Sequence, residues 1–285
     1  MLEFERDKGL GTAYERVAMI RFLEDLTKRY RFASVLEGPT DEISGIRGLN
    51  SIPLARTGTS VEVVLAEDEE ADLARRIWGA LGLSERATIR ASRDRRLDVE
   101  PRSFDLVWNF NSIPRGTEPD RLVEDMCAAS ARYVMIFTMN PWNYGVPIHR
   151  LHHRATGQPW AHGDPELMRV RRLVGMLSSH GFGVVDRFLL DVPWWPDIDS
   201  PIEQVASDLI PFIKGGGKAT SKRLERFTYG ENDLPYFDEA KLAALESELA
   251  RHGFIERATG LPLRILFAHH RGILAERITT GGAAG

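Results

Sequence analysis

The chain is nearly without cysteine: Cys127 is the only one among 285 residues. An internal disulfide and a cysteine-built zinc site are therefore excluded. Cys127 falls in a helical pattern, "LVEDMCAASARYV", and reads as a small buried hydrophobe. No apolar run approaches the ~20 residues that span a bilayer, so no membrane span is expected. The opening "MLEFERDKGLG" lacks the basic-then-apolar order of a signal peptide, which makes a cytoplasmic location the default expectation. Positive charge is not in excess either, since 37 Lys and Arg stand against 41 Asp and Glu, a net charge of -4. Nothing global draws such a chain to nucleic acid or an anionic membrane, so neither is an expected partner. The G-x-G-x-x-G run of dinucleotide enzymes is missing. So is the phosphate loop, because "KGGGKATSK" at 214–222 has neither the required spacing nor a preceding strand.

What is present is a soluble-protein composition, 43% apolar and 27% charged, and a regular alternation of elements. "TAYERVAMIRFLEDLTKRY" has helical spacing of apolar residues. Short apolar strands follow at "FASVLE", "SVEVVLAE", "ATIRAS", "FDLVWNFN" and "RYVMIFTMN", with helices between them. Near-continuous apolar strands such as "YVMIF" suit a sheet covered on both faces. This predicts an α/β, Rossmann-like, doubly wound and mostly parallel sheet. Further on, "PELMRVRRLVGMLSSHG" reads as a helix, "FGVVDRFLLDVP" as a strand, "DEAKLAALESELARHG" as a helix and "LRILFAHHRGILAER" as a final strand or hairpin.

Two strands end in acid. "VLEGPTDEISGIRGLNS" carries Glu37 and then glycines at 38, 45 and 48, and "SVEVVLAED" ends in Glu67 and Asp68. Ligands of parallel sheets sit at the carboxyl ends of the strands. A carboxylate there can accept both hydroxyls of a ribose, and a glycine lets backbone approach a ligand closely. Glu37, Glu67 or Asp68, and Asn109 to Asn111 would converge at that edge.

Taken together, the acid and glycine turn after strand one, the acid after strand two, "SFDLVWNFNSI" on strand four and "HGFGVV" before strand six resemble the class I S-adenosylmethionine-dependent methyltransferases. The resemblance covers roughly residues 12 to 190 and 263 to 277. It implies an antiparallel last strand, S-adenosylmethionine as cofactor and S-adenosylhomocysteine as product. Cofactor contacts are expected from Glu37, Gly38, Pro39, Glu67, Asp68, Asp94, Asn109, Phe110 and Asn111, with Tyr14 closing over them or packing. The chain departs from the family pattern in the late glycines at 45 and 48, and in Arg93 where an adenine-contacting acid is expected.

Methyl transfer is an in-line displacement in which positioning supplies most of the rate, ~7–11 kcal/mol. An oxygen or nitrogen acceptor can also need a base, and histidine titrates near neutrality. His149, His152, His153 and His162 are four of the eight histidines and fall in a loop-like segment, 140–164, rich in Pro, Gly and aromatics. His149 and His153 are expected as catalytic groups. Trp142, Asn143, Tyr144, His152 and Trp160 are expected to bind a small-molecule acceptor. A metal on the histidines with His162 or Asp164 is the weaker reading, for lack of H-E-x-x-H, so no metal is expected.

The expected domain plan is a methyltransferase core at 1–190 plus 261–278, a mostly helical cap at 191–260, and a flexible tail at 279–285. Trp194 and Trp195 would pack that cap onto the core. The reading is methyl transfer to a small molecule. The alternative is a degenerate fold serving as a non-catalytic scaffold, and a homodimer is allowed by either.

Overall fold

A computed structural model describes residues 6–40, 45–157, 159–160, 163–197, 226–258 and 260–278. The segment 214–222, His162 and the tail 279–285 lie outside the described residues. Nine strands are described: β1 (Arg6–Asp7), β2 (Ser34–Thr40), β3 (Ser60–Leu65), β4 (Ala87–Ala91), β5 (Phe104–Phe110), β6 (Ser130–Met139), β7 (Phe182–Leu190), β8 (Tyr229–Gly230) and β9 (His270–Arg277). Seven form one sheet in the order β4-β3-β2-β5-β6-β9-β7. Pairing from β4 through β6 is parallel, and β9 runs antiparallel between β6 and β7. Every strand of this sheet except β9 therefore points its carboxyl end to the same edge.

Period-two alternation sorts the strand residues into two apolar layers. Val35, Val63, Leu106, Trp108, Met135 and Phe137 face one layer, which holds α1 (Gly9–Arg29), α2 (Ile52–Arg56) and α3 (Asp68–Ala80). Leu36, Val64, Val107, Val134 and Ile136 face the other, with α4 (Pro119–Ala129) and α6 (Val170–Ser179). Both faces are covered, which is why the strands read as unbroken apolar runs. Cys127 is buried on α4, and burial pushes its thiol up to about 12.

Two segments differ from expectation. The histidine-rich stretch contains a helix, α5 (Gly145–Thr156), capped by Gly157 at φ 71°. Its Pro147 stands third in the helix, where the missing N–H costs nothing. The run "LPLRILF" is helix as well, α9 (Leu261–Phe267), so the last strand starts only at His270. A short apolar run cannot be assigned by periodicity alone.

The described part of 191–260 contributes α7 (Glu239–Leu249) and α8 (Phe254–Ala258). Its Phe227, Tyr236, Phe237, Leu242, Leu245 and Leu249 join the same apolar layer as α1 and the sheet. The Arg21 guanidinium meets Glu246 across α1 and α7. Strand β8 pairs with β1 at the amino end of the chain. Among the described residues, no helix is long and apolar enough to cross a membrane.

Candidate functional site

The expected turn after Glu37 is corrected by the backbone. Strand β2 continues through Gly38 and Pro39, joined by a cis peptide, to Thr40, with a register shift against β3 between Glu37 and Thr40. Gly38 has φ 136°, and a Cβ there would lie 2.6 Å from the Val64 carbonyl oxygen. Gly45, at φ 86°, leaves space that the Asp7 carboxylate fills, 2.3 Å from where its Cβ would be. These glycines let protein pack on protein, and the space they leave is not open to a ligand.

Glu37 itself is fully buried beneath the carboxyl edge of the sheet. Its Oε2 accepts from the Ser51 backbone N–H at 3.0 Å, and Ser51 Oγ in turn accepts from Trp108 Nε1 at 3.0 Å. Its Oε1 is buried with no hydrogen-bond partner among the described residues. Burial raises the Glu37 pKa to about 7, against the opposing pull of Ser51 and the more distant Arg16 charge.

At the end of β3 the two candidate acids separate. Asp68 is held by Arg93 in an exposed pair at 2.8 Å, whereas the exposed Glu67 carboxylate has no partner among the described residues. Asp94 is folded into its own turn. Its Oδ1 accepts from Ser92 Oγ at 2.8 Å and from the Arg96 N–H at 3.2 Å, which lowers its pKa.

The Asn109–Asn111 segment is consumed internally. Asn109 Nδ2 donates to the Pro39 carbonyl at 3.1 Å and to Ser112 Oγ at 2.6 Å, while its Oδ1 accepts from the Ser112 N–H at 3.3 Å. Asn111, at φ 60°, caps β6 by accepting from the Met139 N–H at 2.9 Å. Phe110 is buried with its ring 4.8 Å from the His270 ring. These side chains tie β5 to β2 and β6.

The expected acceptor residues divide in the same way. Asn143 is a buried clamp: Nδ2 donates to the carbonyls of Phe267 and Ala268, and Oδ1 accepts from the N–H groups of Gly145 and Asp197. Tyr144 donates its hydroxyl to the Trp194 carbonyl at 2.7 Å, and Trp142 is 61% exposed. On α5, His149 and His153 share a face, as spacing of four requires, with their Nε2 atoms 3.1 Å apart. Both rings lie 5.5 Å from Trp160. His152 is buried and its carbonyl accepts from Thr156 Oγ1. Tyr14 packs edge-on against Trp195 at 5.4 Å, and burial raises its pKa.

A cluster of four other groups assembles at the carboxyl edge, and sequence reading missed it. His270 opens β9 between Met139 and Leu190, the last residues of β6 and β7. Its Nε2 lies 3.0 Å from Glu15 Oε2 on α1. The neighbouring His269 pairs through Nδ1 with Asp191 Oδ2 at 2.8 Å, and its Nε2 faces the Trp195 carbonyl at 3.1 Å. His269, His270 and Asp191 are buried, and Glu15 is one-quarter exposed. Burial opposes the imidazolium form of His269, but the charges of Asp191 and Asp197 and its hydrogen bonds prevail and push its pKa up to about 10. His270 is raised against burial by Glu15, and Glu15 is lowered against burial by His270. The available signals were the double histidine before a strand and the acid ending "FLLD". Glu15, 255 positions from His270, gave none.

The strand order, the antiparallel β9 and this edge define the fold of class I S-adenosylmethionine-dependent methyltransferases, and the chain has that fold. Among solved structures it is similar to the [4+2]-cyclase SpnF at 15% identity, with 90% of this chain and 80% of that one covered and a TM-score of 0.51. It is similar to a geranyl diphosphate methyltransferase in complex with GPP and sinefungin at 12% identity, covering 92% and 77%, TM-score 0.51. It is also similar to the MccD protein at 10% identity, covering 91% and 96%, TM-score 0.50. No protein-family model matches the chain, and no curated protein does.

Proposed function

We propose that the chain transfers a methyl group from S-adenosylmethionine to a small-molecule acceptor. One observation carries the reading. Two carboxylates lack a full set of partners among the described residues: Glu37, inside β2 in register with Val63 and with an orphan Oε1, and Glu67, just past the end of the adjacent strand β3. Glu67 is the ribose ligand, chosen over Asp68 because Arg93 already occupies the latter. Glu37 answers the positive amino-acid end. Its ionised form is the costly one in the free protein, and a neighbouring cation would relieve that cost. When bound, S-adenosylmethionine supplies a methyl carbon activated by positive sulfur.

The acceptor lies toward β5, β6 and β9, against Phe110 and the Glu15–His270 pair. We assign the polar contacts there to His270 and Glu15 in preference to His149 and His153, which are turned to one another and to Trp160. A lone pair of the acceptor forms the new bond to carbon as the carbon–sulfur bond breaks, leaving its electrons on sulfur. A hydroxyl acceptor releases its proton to water. The chain contributes alignment and exclusion of solvent.

The filled glycine spaces at 38 and 45 favour a second reading, a chain of this fold that serves as a binding subunit without cofactor. The fold alone does not choose the chemistry, since a cyclase shares it. Calorimetric titration of the full chain with S-adenosylmethionine and S-adenosylhomocysteine decides. Micromolar binding, about -8 kcal/mol, supports methyl transfer. Binding of neither at about 1 mM leaves the second reading.

A further inference from the structure

We propose that Glu15, Asp191 and His270 form a binding site for one divalent first-row transition ion of the Mn2+, Fe2+ or Zn2+ kind. One donor atom from each residue lies within 4.8 Å of the other two, and no other group of three His, Cys, Asp or Glu donors among the described residues comes this close. Metal bonds near 2.1 Å place cis ligands about 3 Å apart and trans ligands about 4 Å apart. The Glu15–His270 contact of 3.0 Å already meets the first spacing. The Asp191 donor lies within 4.8 Å of both and moves inward to complete the set.

Partner accounting supplies an independent reason. Asp191 uses Oδ2 on His269 but leaves Oδ1 buried and without a partner among the described residues, although the side chain is only 3% exposed. A buried polar atom is rarely left so, and Asp191 Oδ1 asks for an occupant. His270, 5% exposed at its side chain, offers the ion Nε2, the atom that already meets Glu15. Two carboxylates and a neutral imidazole carry the charge that balances a dication, and mixed oxygen and nitrogen donors suit a transition ion better than calcium. His269, fixed between Asp191 and the Trp195 carbonyl, has the position of a group that orients a ligand carboxylate. The three ligands arrive from α1, from the residue immediately after β7 and from the start of β9. Glu15 leaves the site open to solvent on one side.

With three protein ligands the ion keeps positions open. They adjoin Phe110, where the acceptor is placed above, so the fitting substrate class is one with an oxygen donor, a hydroxyl or a carboxylate. This substrate clause rests on the methyl-transfer reading, whereas ion binding does not.

The test uses the full chain stripped with chelator and titrated with Mn2+ by calorimetry and electron paramagnetic resonance, and with Zn2+ by calorimetry and metal analysis after gel filtration. One equivalent per chain is expected. E15Q and D191N should weaken binding about tenfold or more, while H153A leaves it unchanged. Circular dichroism checks each variant, and if D191N fails to fold, E15Q decides, since Glu15 is part-exposed. The proposal is overturned by no stoichiometric binding at about 1 mM metal, by binding that survives E15Q, or by binding lost in H153A, which would move the ion to α5. S-adenosylhomocysteine is titrated into the same samples. Metal bound without it sinks the methyl-transfer reading and keeps the ion site. The reverse sinks the ion site alone.

Discussion

Replacing Glu37 by glutamine tests the burial of this carboxylate through stability. The Glu37 pKa rises from the ordinary 4.5 to about 7 on folding, mainly because the carboxylate is buried. A folded-state pKa above the unfolded one means that the folded chain holds a proton the unfolded chain has lost. Below about pH 4.5 both states are protonated and the group is neutral to stability. Between about 4.5 and 7 stability falls as pH rises, and above about 7 the full penalty stands. A shift of roughly 2.5 units corresponds to about 3 kcal/mol. Glutamine keeps an oxygen for the Ser51 N–H at the same place and never ionises. E37Q should therefore match the wild type near pH 4.5 and exceed it by up to about 3 kcal/mol near pH 8, read as urea midpoints by circular dichroism at several pH values. A stability gap that does not widen with pH would refute the reasoning. So would a variant less stable than wild type near pH 8. The cofactor provides the converse: if its cationic end meets Glu37, binding near pH 6 releases a proton in the wild type and none in E37Q. Calorimetry in buffers of different ionisation enthalpy measures that count.

Other outcomes follow from the same geometry. E67A should weaken S-adenosylhomocysteine binding about tenfold or more, while D68A, which loses only an exposed pair to Arg93, changes it little; equal effects would undo the choice between them. G38A places a Cβ 2.6 Å from the Val64 carbonyl at a φ that disfavours side chains, and should cost about 2–4 kcal/mol in thermal or urea unfolding. Asn143 satisfies the end of α9 and the start of α5 at once, so N143A should cost about 2–4 kcal/mol, with an unchanged stability marking the clamp as superfluous.

The parts legible in the sequence were those dictated by local pattern. Buried strands such as "YVMIF" announce themselves because both faces are covered, and the helical spacing of α1, α3 and α4 exposes them equally plainly. What local pattern did not reveal is which groups each polar side chain meets. Asn109 and Asn143 look like ligand-binding amides, but each is spent on backbone groups that the ends of strands and helices leave unpaired. Gly38 looks like a ligand cradle and serves β3 instead. The histidines crowded into one segment drew attention to α5, whereas the charged cluster takes Glu15, Asp191, His269 and His270 from three distant parts of the chain. Nothing short of the sheet order brings those together.

That sheet order also sets a timetable for synthesis. Strand β7 ends at residue 190 and among the described residues has no neighbour in the sheet but β9, which begins at residue 270, so residues 191 to 269, 79 in all, intervene. At roughly 5–20 residues per second the ribosome takes on the order of 4–16 s to deliver the missing strand. Through that interval β6 offers a bare apolar edge, Val134 to Phe137, of the kind that recruits foreign strands. The two carboxylate-bearing strands β2 and β3 are long finished by then. The nascent chain thus completes strands β2 and β3 first and its histidine cluster last, in the same event that closes the sheet.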